Sequence, residues 1–224
     1  MSDKTMYFGS ENVVDTLKVG LNPTLTGLGD SQHFGSGFYF FENADAAEQE
    51  IGLQGLMVTH PVVMASTVKL NNPITLDVGA KSIHEALVDV TPQQVFDIMR
   101  KSERIFDGDD SPLIDWNGQS HHRLSEELIT EVCRHFAKPE NFWSMEKELF
   151  GDVGEAKVFR EAVNEVLGYD GVVIDLGNGK ENVIAWFKDQ VAKMEIHKIL
   201  PKPEVQKLYY RPPEPVVPEL KLSR

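Results

Sequence analysis

Apolar and polar positions along this chain change period several times, and each change marks an element. The run MYF, Met6 to Phe8, stops at Gly9-Ser10, the pattern of a strand end followed by a residue able to cap a helix. Val13, Val14 and Leu17 then share one helical face as far as Gly20. A loop with glycines and a proline, Asn22 to His33, leads into GFYFF, a strand, after which Asn43 caps a short helix through Ala44, Ala46 and Ala47. Val62 to Leu70 predicts a third strand, closed by Asn71-Asn72-Pro73. The middle is helical: Thr91, Pro92 and Gln94 form a capping box ahead of Val95, Ile98 and Met99. Ser125 opens a helix with Leu128, Ile129, Val132 and Phe136 on one face, and another carries Val158, Phe159, Ala162, Val163 and Val166 up to Gly168. GVVIDL and NVIAWF, joined by Gly177 to Lys180, read as a hairpin.

Strands at both ends with helices between them imply an α+β fold rather than a doubly wound parallel sheet. We expect a single domain over residues 1–200 with a helical insertion near 77–157. Residues 201–224, rich in proline, are expected as an extended tail.

Composition narrows the function classes. With 224 residues and 41% hydrophobic positions the chain can build a sizeable core. A formal charge of -13 argues against holding nucleic acid by phosphate neutralisation, although brief catalytic contact with such a substrate stays open. The single cysteine, Cys133, permits no internal disulfide, and the N-terminal residues lack the basic and apolar regions of a signal peptide. No apolar run approaches the ~20 residues that span a bilayer, so a cytoplasmic protein without membrane contact is expected. No metal-ligand spacing is present; the adjacent His121 and His122 are expected in a solvated loop. Trp116, Phe142 and Trp143 are expected in the core, with an exposed recognition surface as the alternative.

Four segments, in order, resemble the ADP-ribosyltransferase superfamily, in its poly(ADP-ribose) polymerase and diphtheria-toxin-like branch and in related phage and bacterial toxin domains. They are Phe8-Gly9-Ser10, Gly20-Leu21, the FGSGFYF phrase from Phe34 to Phe40, and Gly168-Tyr169-Asp170-Gly171 followed by ENVIAWFKDQVAK from Glu181 to Lys193. The resemblance implies a split mixed β-sheet core with inserted helices, and strands of Tyr7, Tyr39 and NVIAWF bordering one cleft. It further implies transfer of ADP-ribose from NAD to a macromolecular acceptor, a protein or a nucleic acid, with release of nicotinamide and no metal. The same fold without catalysis would be an NAD- or ADP-ribose-binding or interaction module.

The resemblance also assigns roles. Gly9 would bring its backbone to the nicotinamide amide, Tyr39 would stack on the ring, and Ser10, Gly37 and Phe8 would complete the NAD site. Phe8 stands where the family has a histidine that bonds a ribose hydroxyl, and it can neither donate nor accept such a bond; His33 is the candidate replacement. A carboxylate must oppose the sugar cation formed as the nicotinamide bond breaks. Taking Glu181 as that carboxylate requires a one-residue insertion before DQVAK, whereas Asn182 aligns without a gap. The expected catalytic residues are Glu181 and the stacking Tyr39, with Asn182 as the alternative to Glu181.

Overall fold

The computed structural model describes residues 4–10, 34–54, 60–102, 104–106, 113–116, 120–123, 126–150 and 153–201. In chain order the elements are β1 (Thr5–Ser10), β2 (Phe38–Phe40), α1 (Ala44–Gln54), β3 (Val62–Thr67), β4 (Ile74–Leu76), α2 (Pro92–Lys101), β5 (Ile105–Phe106), β6 (Leu113–Trp116), β7 (Ser120–Arg123), α3 (Glu126–Phe136), α4 (Ser144–Leu149), α5 (Val153–Leu167), β8 (Gly171–Gly177), β9 (Lys180–Ala185) and β10 (Glu195–Ile199). The architecture is mixed α+β. One sheet has the order β1-β3-β10, a second β2-β9-β8-β4, and a small third β5-β6-β7. The two larger sheets meet at an isolated bridge, where Tyr7 and Phe41 exchange both backbone hydrogen bonds at 2.8 Å.

Among the described residues, all strand pairs are antiparallel except β4 with β8. A parallel pair needs a long crossover, and here the crossover carries α2 to α5. The helices pack on one face of the second sheet, where Ile74, Leu76, Val172, Ile174 and Ile184 meet Ile98, Phe136, Phe142, Trp143 and Phe159. The opposite face, with Phe38, Phe40, Val173, Val183 and Ala185, packs against Met6 and Phe8 of β1. Burial on both faces is why Gly171 to Ile174 reads as an unbroken apolar run rather than an alternating one.

The local signals for element ends hold. Thr91 and Gln94 form the capping box, Asn43 Oδ1 accepts the Ala46 N–H at 2.8 Å, and the β8–β9 turn places Asn178 and Gly179 at φ 55° and 74°, as tight hairpins require. Four expectations change. β1 does not end before Gly9 but carries through Ser10, opposite Val63 and Val62. β3 stops at Thr67, leaving Val68 in a single bridge with Val191. The insertion is not wholly helical, because β5, β6 and β7 lie within it. His121 and His122 are in β7, across from Asp115 and Ile114, since mutual backbone pairing outweighs the polar character of SHHR. Phe142 and Trp143 are buried, and Trp143 Nε1–H donates to Ala86 O at 3.0 Å, which removes both from any recognition surface. The Val13 to Leu17 helix, the Gly20-Leu21 pair, His33 and the proline-rich tail lie outside the described residues. No helix among those described is long and apolar enough to cross a membrane.

Candidate functional site

The β2–β9 pairing decides which expected site residues share a face. Tyr39 is opposite Ile184 and Phe40 opposite Val183. Side chains alternate along each strand, so Asn182, two residues before Ile184, falls on the face of Tyr39. Glu181 falls on the other face, with Val183, Phe40 and Phe8. Continuing the same register brings Glu42 to this corner: Glu181 N–H donates to Glu42 Oε2 at 2.7 Å, and Glu42 N–H donates to Asn182 Oδ1 at 3.3 Å. With its oxygen engaged this way, the Asn182 amide keeps its NH2 group as the donor end. Lys4 Nζ lies 3.0 Å from Glu42 Oε2, and its hydrogen bond is the main influence lowering the Glu42 pKa.

Phe8 packs against Phe40, ring centroids 5.5 Å apart, on the face opposite Tyr39. Gly9 sits where two constraints meet. A side chain there would collide with α1, since a β-carbon would come 2.4 Å from Ala47 O and 2.7 Å from Ile51 Cγ1. Because Tyr7 bonds Phe41 through both backbone groups, alternation directs the N–H and C=O of Gly9 to that same edge. The Tyr7–Phe41 bridge is isolated among the described residues, and its register sets Gly9 across from Tyr39 where the ladder has ended. Ser10 is buried at the end of β1. Gly37 is buried too, and a β-carbon there would come 2.3 Å from Ile184 Cγ2, so its smallness serves strand packing.

The Phe34–Gly37 turn is held by residues that carried no expectation. Tyr39 Oη–H donates to Gly35 O at 2.6 Å. Ser36 N–H donates to Glu146 Oε1 at 3.4 Å, and Ser36 O accepts from Arg160 Nη1 at 2.6 Å. Arg160 Nε–H donates to Ala156 O at 3.0 Å, while Nη2 is buried without a hydrogen-bond partner among the described residues. Burial pushes the Glu146 pKa up, against the opposing pull of Arg160 and Ser36. Burial likewise lowers that of Arg160, opposed by Glu146 and Tyr39. A signal existed in the sequence: Arg160 falls in the stripe Ala156, Phe159, Arg160, Val163, and Glu146 beside Met145 and Leu149, so each charge borders an apolar helical stripe, Arg160 buried and Glu146 half-buried.

GYDG and DQVAK meet in space and act as scaffold. Asp170 accepts the N–H groups of Asn71 and Asn72 at 2.6 and 3.0 Å, and Gln190 Nε2–H donates to Asp170 O at 2.6 Å while its Oε1 accepts Phe187 N–H at 2.8 Å. Cys133 is buried and its thiol is pushed up to about 11 by desolvation, which makes it a poor nucleophile. No group of metal-ligating side chains occurs among the described residues. Protein-family models, curated proteins and solved structures all return no match to the chain.

Proposed function

We propose that the chain is an NAD- or ADP-ribose-binding domain on an ADP-ribosyltransferase-like split sheet, with Asn182 standing where a transferase needs its carboxylate. The observation that carries this reading is the shared face of Tyr39 and Asn182, with Glu181 turned away. Tyr39 would stack on the nicotinamide, Gly9 would offer an N–H and a C=O to its amide, and the Asn182 NH2 would donate to a ribose hydroxyl. An amide cannot oppose a sugar cation as a full negative charge does. Its substitution for a carboxylate costs about 3 kcal/mol in the transition state, a hundredfold or more in rate. Binding therefore dominates over transfer.

The test is calorimetry with NAD beside a nicotinamide-release assay on the parent, Asn182→Glu and Glu181→Gln. We expect binding with slow release in the parent, release at least about a hundredfold faster in Asn182→Glu, and no effect of Glu181→Gln. Absence of NAD binding in the parent would sink the reading.

A second reading, transfer of ADP-ribose from NAD to a macromolecular acceptor, has one observation in its favour: Glu181 and Glu42 put two carboxylates in the same β2–β9 corner as Asn182. Rapid release by the parent that collapses in Glu181→Gln would establish it in place of the first.

A further inference from the structure

A buried arginine and a half-buried glutamate close on a four-residue turn, and neither makes a direct ion pair with the other. Arg160 is 3% exposed and reaches the carbonyl side of Ser36; Glu146, on a different helix, receives its N–H side. The Ser36 peptide is gripped at both ends by opposite charges. Burying charge is expensive unless it is well bonded, and here the bonding is incomplete: the Ser36 N–H reaches Glu146 Oε1 only at 3.4 Å, and Arg160 Nη2 has no hydrogen-bond partner among the described residues. Apolar side chains at both positions would serve packing as well or better. What they would not supply is a fixed location for the turn. Gly35 adopts φ 80°, and a β-carbon on it would come 3.1 Å from Glu146 Oε2, so the carboxylate fits closely against a residue that must be glycine. The same turn supplies Gly35 O, the acceptor of the Tyr39 hydroxyl.

We propose that Arg160 and Glu146 are positioning residues that lock the Phe34–Gly37 turn and thereby orient the Tyr39 ring for a planar aromatic ligand. The inference deepens the NAD-binding reading and rests on it for the identity of that ligand. Neither residue touches the ligand; both act through the Ser36 peptide and Tyr39.

The experiment pairs NAD calorimetry with hydrogen–deuterium exchange over residues 34–40, on the full chain, for the parent, Arg160→Lys and Glu146→Gln. R160K keeps the positive charge that faces Glu146 but loses the guanidinium fork that reaches Ser36 O. NAD affinity should fall roughly tenfold, the scale of one charge-assisted hydrogen bond, and exchange over the turn should quicken by a similar factor. E146Q retains an acceptor for Ser36 N–H and should stay within about twofold of the parent in both readings. That rescue by the conservative change separates positioning from general destabilisation. If the parent binds NAD and R160K binds it equally with unchanged exchange, the positioning role is overturned while the NAD site stands. If the parent binds no NAD, the ligand reading falls, and exchange alone decides the lock: quickening in R160K supports it and no change overturns it. Should R160K fail to fold, Glu146→Leu removes the acceptor while filling an apolar position, and the same two readings decide, both losses being expected.

Discussion

The Gly168–Gly171 corner and the Phe34–Gly37 turn are both glycine-bearing, both buried in part, and both tied down by polar side chains from distant elements. At the first, Asp170 receives two short backbone N–H bonds and Gln190 uses both ends of its amide. At the second, the backbone N–H reaching Glu146 does so at 3.4 Å, and Arg160 leaves a nitrogen unmatched among the described residues. Well-satisfied polar groups specify a scaffold, whereas under-satisfied ones persist where placement matters more than stability. The corner therefore belongs to folding, and the turn to the face that presents Tyr39.

The largest effect should come from the corner. Asp170→Ala removes the charged acceptor of the Asn71 and Asn72 N–H groups at a buried position, and we expect a loss of roughly 2 to 3 kcal/mol in urea unfolding, with ligand affinity of the folded fraction unchanged. A loss below about 1 kcal/mol would erase the contrast. At the turn the smaller response has the opposite sign. The folded pKa of Glu146 lies above the ordinary carboxylate value near 4.5, so the folded state binds the extra proton. Its contribution to stability is fully present below the unfolded pKa and is lost as pH rises from there through the folded one. Glu146→Gln should flatten that decline and leave the protein more stable than the parent at neutral pH. Glu42 titrates the other way: Lys4 lowers its folded pKa, so any stability it lends is present above its unfolded pKa and lost as pH falls through the folded one. Urea titrations across roughly pH 2 to 8 for the parent and Glu146→Gln read both trends, and an unchanged slope in the variant above the ordinary carboxylate range would exclude Glu146 as its source. The smallest effect belongs to Tyr39→Phe, which removes the hydroxyl that bonds Gly35 O and should cost about 1 kcal/mol while keeping the ring.

Much of the scaffold was legible in the sequence because its signals are local. Thr91 and Gln94 announce α2, and Asn178-Gly179 announces the β8–β9 turn. Strands β4 and β10 escaped for opposite reasons: Ile74 to Leu76 is too short to show a period, and Glu195 to Ile199 is exposed at every position, so no apolar face marks it. At the site, alternation could state that Glu181 and Asn182 face opposite ways, but not which faces Tyr39. That depends on the pairing of β2 with β9. Glu146 and Arg160 were readable as charges on apolar stripes, yet their target, a turn more than a hundred residues earlier, was not.

The pairing of β2 with β9 also has a consequence during synthesis. Glu42 and Asn182 are 140 residues apart, and at a ribosomal pace of ~5–20 residues per second the strand bearing Phe38 and Phe40 waits roughly 7 to 30 s for its partner. Throughout that interval an aromatic edge has no native neighbour on that side. Delayed long-range pairing of this kind slows folding and invites association between nascent chains, so the yield of soluble protein should depend on translation speed and chaperone supply more than its final core would suggest.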